Sequence, residues 1–320
     1  MVTSPYVPHA SHQGSALICN PRCRLPDVTI RPPTDTESGV GVRNGSVVLR
    51  RILGRELRLL REEAGLTLER AAPDLDWSAS KLSRIETGQQ KVDVHGVRSM
   101  LDLYGAAERW DELISLCREA QQKGWWQAYG LGERDFYIGY ETEACLVQDF
   151  TIDYVPGLLQ VAAYSRALFT SSFVDRTQEE LANAIKVRMI RQERLTSEDD
   201  PLELVAVIDE SVLYREIGGP DVLAEQLAHL VAAAQLPSVT LQVLPTVACQ
   251  RAAMGSGFTV LNFGDLGEPD MAYVEHALGA MRMEKEADVV RARLMLGRLR
   301  SDALSPADSL ALIRQVAASA

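Results

Sequence analysis

Between residues 48 and 64 the apolar residues Leu49, Leu53, Leu57, Leu60 and Ala64 recur at steps of four and three, which places them on one face of a helix. Arg50, Arg51, Arg55, Arg58 and Arg61 occupy much of the remaining surface, and Gly65 supplies a residue suited to ending the helix. Short helical patterns follow over 67–74, 78–86, 94–104 and 108–122, and no strand-like alternation occurs before residue 130. Residues 47–123 are therefore expected to form an all-α, five-helix domain.

Beyond Lys123 the pattern changes. Short β-branched runs bounded by Gly, Pro or Asp predict strands at 145–154, 202–208, 239–244, 258–263 and 271–275. Helical patterns lie between them at 162–171, 178–195, 221–234, 285–301 and 306–317. Thr177 with Glu180 has the capping-box form, and Ser305-Pro306 with Asp308 combines a cap, a proline at the first helical position and an acid in the first turn. Residues 124–320 are expected to form a mixed α/β (α+β) domain, which makes the chain multi-domain. Residues 1–46 are rich in Pro, Ser, Thr and Gly without apolar periodicity, and are expected to be a disordered tail. Val40, Val42 or Val47 would be a natural start, which reads the first forty residues as an over-extension.

Composition narrows the class. An apolar share of 46% and a charged share of 24% are those of an ordinary globular protein, and 320 residues suffice for two domains at about 150 residues each. No run approaches the roughly 18 apolar residues of a membrane helix, and no basic-then-apolar leader is present, so a cytoplasmic location without membrane contact is expected. The net charge of −11 argues against a protein that coats nucleic acid, but its distribution is uneven. From Arg43 to Val92 ten Lys and Arg face seven Asp and Glu, a surplus of three that leaves −14 on the rest. A mildly basic head on an acidic body suits an oriented approach to DNA.

The stretch 66–88, LTLERAAPDLDWSASKLSRIETG, carries the functional signal. Ala71, Ala72, Leu75, Leu82 and Ile85 let two short helices pack across a tight turn. Ser78 is a proper N-cap and Gly88 sits where a left-handed C-terminal residue is wanted. With Leu82 and Ile85 inward, Ala79, Ser80, Ser83 and Arg84 project outward near the start of a recognition helix, as base-reading candidates. Arg84 can pair bidentately with guanine, the two serines can bond either base edge, and the Ala79 methyl can touch thymine. Thr67, Ser78, Lys81, Gln89 and Lys91 are placed for phosphates, which orient without specifying. One short helix reads few base pairs, so a homodimer on double-stranded DNA is expected.

The same stretch resembles the helix-turn-helix of the phage-repressor-like Xre family. It departs from that pattern at Leu68, where a phosphate-contacting Gln is common, at Asp76, which replaces a turn glycine, and at Pro73 inside the first helix of the pair. Together with Val155-Pro156-Gly157-Leu158-Leu159-Gln160, Asp209-Glu210, Gly218-Gly219-Pro220 and Ala303-Leu304-Ser305-Pro306, it is similar to actinobacterial Scr-type, antitoxin-like regulators over about residues 48–317. That resemblance implies transcriptional control in development or secondary metabolism. It also implies a small partner protein, often encoded next door, that touches the C-terminal domain.

Other chemistry is thinly represented, and neither an enzyme nor a cofactor is expected. Gly255-Ser256-Gly257 lacks the spacing of a nucleophile elbow because Met254 stands where that motif needs glycine, so it reads as a turn. Asp209-Glu210 reads as an acid pair starting a helix. His229 and His276 have no cysteine or matched carboxylate nearby in sequence and read as structural. His9, His12, Cys19 and Cys23 match no common zinc finger in order or spacing. Cys117, Cys145 and Cys249 read as small hydrophobes. Six of the nineteen aromatics fall between Trp125 and Tyr140, an arrangement found at domain junctions, the favoured reading here, and in ligand pockets. A small-molecule sensor therefore remains the alternative to partner binding.

Overall fold

The computed structural model describes residues 46–131, 136–172, 174–247, 256–276 and 279–319. Residues 1–45 of the expected tail, with Val40, Val42, His9, His12, Cys19 and Cys23, lie outside the described residues, as do Cys249, Met254 and Gly255.

Five helices come first: α1 (Ser46–Glu63), α2 (Leu68–Asp74), α3 (Ala79–Glu86), α4 (Val94–Tyr104) and α5 (Trp110–Gln121). The fifth begins later than its pattern suggests, because a 3-10 turn at Ala107–Arg109 takes the first residues. Leu53, Leu57 and Leu60 of α1 are buried with Ala71, Ala72, Leu75, Leu82, Ile85, Met100, Leu101 and Leu113 in one core. The ends of the apolar row behave differently. Leu49 is half-buried, Ala64 is exposed just past the helix, and Val47 and Val48 belong to the core of the α/β part. Helix α1 thus contributes to two cores.

The α/β part follows: α6 (Phe136–Glu143), β1 (Leu146–Thr151), α7 (Ala162–Ser171), α8 (Gln178–Glu193), β2 (Glu203–Asp209), α9 (Pro220–Ala233), β3 (Val239–Leu244), β4 (Phe258–Asn262), β5 (Met271–His276), β6 (Gly279–Met283), α10 (Glu286–Asp302) and α11 (Pro306–Ala317). The six strands form one sheet in the order β3-β2-β1-β4-β5-β6. The pairs β1–β2 and β2–β3 are parallel, and β1–β4, β4–β5 and β5–β6 are antiparallel. Side chains alternate between its faces. Leu204, Ala206 and Ile208 of β2 join Leu227 and Leu230 of α9 and Ile313 of α11. Val207 turns the other way, joining Phe150, Val260 and Ala272 beneath Leu296 and Leu299 of α10. Both faces are covered, as a sheet with parallel crossovers requires.

Both expected caps form: the Thr177 hydroxyl accepts from the Glu180 amide while the Glu180 carboxylate accepts from the Thr177 amide, and Ser305 accepts from the Asp308 amide. Asp209 ends β2 and accepts from the Ser211 amide at the head of a 3-10 turn, Glu210–Tyr214, close to its reading as a helix-starting acid. His229 is half-buried on α9, and burial lowers its pKa. Two elements carry no periodic signal. Helix α6 buries Ile138, Tyr140, Glu141 and Glu143, so its surroundings leave no polar stripe. Strand β6 is an edge strand with mostly exposed side chains.

Asp149 of β1 stands opposite Thr259 of β4 and accepts a hydrogen bond from its hydroxyl at 3.0 Å. Burial pushes its pKa up to about 7, against the pull of that bond. In the unfolded chain the group titrates at about 4, so between about pH 4 and 7 the folded protein holds a proton that the unfolded chain has released. Stability is therefore expected to fall as pH rises through that window. Asp149→Asn should flatten the slope and raise the melting temperature on its alkaline side, as followed by thermal melts across the range. An unchanged slope would assign the proton to another group.

Candidate nucleic-acid interface

The α2–α3 turn is built from local chemistry. Asp76 adopts φ 55°, the one non-glycine residue with positive φ among the described residues, and asparagine and aspartate tolerate that region best. The Trp77 amide donates to Ala72 O at 2.9 Å, closing the turn. The Ser78 hydroxyl accepts from the Lys81 amide at 3.1 Å and caps α3. Gly88, at φ 70°, ends the helix, with the Gln89 and Gln90 amides both donating to Arg84 O. Pro73 is accommodated near the end of α2 without breaking it.

Helix α1 crosses the C-terminal end of α3 at very close range. A Cβ on Gly54 would stand 2.5 Å from Ile85 O and 2.7 Å from Glu86 O, so only glycine fits. Next to this crossing, Arg61 grips Glu86: Nε and Nη2 donate to the two carboxylate oxygens at 2.7 and 2.9 Å, with side chains 7% and 3% exposed. Arg61 Nη1 also donates to Leu66 O at 2.6 Å, in the turn before α2. Arg61, one of the arginines on the non-apolar side of α1, is thus an internal tie.

Arg51 and Arg55 are also engaged inside the protein. Arg51 Nε pairs with Glu268, its Nη1 with Glu284 Oε1 at 2.5 Å, and it donates to the Tyr140 hydroxyl at 3.3 Å. Arg55 donates to Gly267 O and lies 3.8 Å from Glu268. Burial raises the Glu268 pKa, against the pull of both arginines. Helix α1 therefore faces the β5–β6 region of the α/β part with Arg51 and Arg55. Arg58, 56% exposed, faces outward and pairs with Glu62 at 2.8 Å.

Of the base-reading candidates, Ser80, Ser83 and Arg84 lie on the outer side of α3, whereas Ala79 packs partly against the core of the helical region. Ser80 and Arg84 are exposed, Ser83 and Ala79 are half-buried, and Leu82 and Ile85 are 0% and 2% exposed beneath them. Arg84 makes no ion pair among the described residues. The phosphate candidates are less uniform. Thr67 is exposed and its hydroxyl makes no capping bond. Ser78 is exposed but capped to α3, and Lys81 folds over the Trp77 ring at 4.0 Å from its centroid. Lys91 is exposed after α3, whereas Gln89, also exposed, lines a crevice shared with Glu268 and Glu284. A groove of about 530 Å3 brings Thr67, Arg58 and Ser83 together. Among the described residues no group of three His, Cys, Asp or Glu could hold a metal ion, and no helix is long and apolar enough to cross a membrane.

Two short helices across a tight turn, the second capped, anchored and outward-facing, define a DNA-binding regulator of the helix-turn-helix class. The comparisons with known proteins agree: a helix-turn-helix domain model matches residues 52–113. The model described as Domain of unknown function (DUF5753) matches residues 135–315, more than half of the chain, and the chain belongs to that family. No curated protein and no solved structure matches it.

Removing one partner of the Arg61–Glu86 pair leaves the other charged and buried. Glu86→Gln should destabilise the helical region by about 3–5 kcal/mol, read by urea unfolding with Trp77 and Trp110 fluorescence. Replacing both partners, Arg61→Met with Glu86→Leu, should recover much of that loss. A single variant within about 1 kcal/mol of wild type would show that the pair does not hold α3 in place.

Proposed function

We propose that this chain is a sequence-specific transcriptional regulator whose helix α3 enters the major groove of an operator. Arg84 pairs with guanine, Ser80 and Ser83 bond base edges, and Ala79 packs on a thymine methyl. Thr67, Ser78, Lys81, Gln89 and Lys91 approach phosphates. The observation that carries this reading is the outer face of α3: Arg84 is exposed and makes no ion pair among the described residues, while the helix beneath it is locked by Leu82, Ile85 and the Glu86 pair. The chain acts as a homodimer on a pseudopalindrome, because one recognition helix samples too few base pairs. Its role is non-enzymatic and cytoplasmic.

The α/β part dimerises or receives a small partner protein in an antitoxin-like arrangement, which the motifs shared with Scr-type regulators support. A second reading, a small-molecule sensor, is favoured by one observation: Tyr129 and Tyr137 of the aromatic-rich segment line a cavity in this part, while Tyr140 packs against Phe263 and Arg51.

Arg84→Ala should weaken binding to an operator selected from a random duplex pool by about 10- to 100-fold, as loss of a bidentate base contact implies, with a much smaller loss on scrambled DNA. Lys91→Ala should weaken both about equally and reduce the salt slope by about 1. Fluorescence anisotropy on both duplexes across a salt series checks the pair. Equal losses on the two duplexes for Arg84→Ala would defeat its assignment to a base.

A further inference from the structure

A cavity of about 400 Å3 lies in the α/β part among α6, α7, α8 and β5, within the size range of small-molecule sites. Four aromatic rings line it: Tyr129, Tyr137, Phe169 and Tyr273, with the centroids of Tyr137 and Tyr273 packed 4.8 Å apart. Three guanidiniums also reach it, and they are not equivalent. Arg191 is neutralised, its Nε and Nη2 each donating to Glu141 at 2.6 Å. Arg188, three residues earlier on α8, has no carboxylate within 4.0 Å among the described residues. Its Nη1 donates to the neutral Gln160 Oε1 at 2.5 Å, its Nε has no acceptor among the described residues, and its Cζ stands 4.3 Å from the Phe169 centroid. Arg176 lies 5.1 Å from the same centroid and among the described residues donates to neutral oxygens, the Ser172 hydroxyl at 2.8 Å and the carbonyls of Phe169 and Val174.

The position of Arg188 is held deliberately. Gln160 is fully buried; its Nε2 donates to Val155 O at 2.6 Å, and its Oε1 accepts from Ser165 as well as from Arg188. Gln192 Nε2 in turn donates to Gly157 O and Gln160 O. The motif at residues 155–160 is therefore a scaffold that presents this guanidinium. Burial, with Arg191 nearby, pushes the Arg188 pKa down to about 10. The acids around the cavity leave that charge poorly compensated: Glu180 is committed to the α8 cap, Asp175 and Glu275 are exposed, and burial favours the neutral form of Asp149. Arg188 is half-buried and has no carboxylate within ion-pair distance among the described residues, Glu275 and Glu141 acting on it only from further off; an anion entering the cavity would relieve the cost of its burial.

We infer that this cavity binds a small aromatic carboxylate, its carboxylate on Arg188 and Arg176 and its ring against Phe169 and the Tyr137–Tyr273 pair. Ring-on-ring packing and charge-assisted pairing would act together there. The test uses the full chain and matched probes: phenylacetate, salicylate and naphthoate, each against its neutral amide, by calorimetric titration and thermal melting. At least one acid should bind with a Kd below about 1 mM and raise the melting temperature, while its amide should not. Arg188→Gln should weaken that acid at least tenfold. Arg176→Gln, at a half-buried position before α8, should weaken it too, and gives an independent reading should Arg188→Gln not fold. The inference is overturned if no acid binds at about 10 mM, if acids and amides bind alike, or if folded Arg176→Gln binds as wild type does. No DNA enters the measurement, so its failure and a failure of the operator test are separately visible.

Discussion

Guanidinium–carboxylate pairs along one helix organise the two halves of the described chain. Helix α1 sends Arg61 to Glu86 at the end of the recognition helix, and Arg51 and Arg55 to Glu268 and Glu284 in the α/β part. A buried pair of this kind adds little net stability over an apolar replacement, but separating its partners is heavily penalised. Its effect is therefore on position. Glu86 holds the C-terminal end of α3, the Gly54 crossing holds it at backbone range, and the outer face of α3 is presented without taking part in either contact.

This changes how the charge of the helical region is understood. A local basic surplus suggests a broad phosphate-binding surface, yet three of the α1 arginines are engaged inside the protein and Lys81 is folded onto Trp77. The exposed cations of the helix-turn-helix that remain are Arg70, Arg84 and Lys91, with Arg58 exposed but paired to Glu62 beside the groove. Fewer free cations mean a smaller non-specific contribution from phosphate, so the proposed base contacts of α3 would carry more of the discrimination. Gln89, which shares a crevice with Glu268 and Glu284, has acidic neighbours that repel a phosphate and is the weakest of the proposed phosphate contacts.

The α/β part uses the same chemistry for a different end. Arg191 is matched bidentately by Glu141, whereas Arg188 is held by an amide and faces a ring. The aromatic-rich segment divides accordingly. Trp126 is buried against Ile138 and Val187, Tyr140 meets Phe263 and Arg51, and Tyr129 and Tyr137 turn to the cavity. One compositional cluster thus serves both a junction and a pocket, because its residues are divided between a 3-10 turn at Trp125–Tyr129 and α6, each packed against several neighbours.

The helix-turn-helix was legible from residues alone because its determinants are local: the cap at Ser78, the left-handed Asp76, the glycine after the helix, and the Leu82–Ile85 spacing all act within a few residues of one another. Most strands and helices of the α/β part were legible for the same reason, through period and punctuation. Helix α6 and strand β6 were not, since a helix buried around much of its circumference and an exposed edge strand lack the contrast that periodicity needs. The partners of charged side chains were equally hidden. Nothing near Arg51, Arg55 or Arg61 in sequence distinguishes them from Arg58, and Arg188 and Arg191 read alike on α8. Their fates depend on Glu86, Glu268 and Glu141, carboxylates brought within a few ångströms by long-range packing. The chain by itself settled most of the elements, the helix-turn-helix among them; only the tertiary structure decided which charges are consumed inside the protein and which stay free to meet a ligand, because an ion pair is set by distance in space and not by spacing along the backbone.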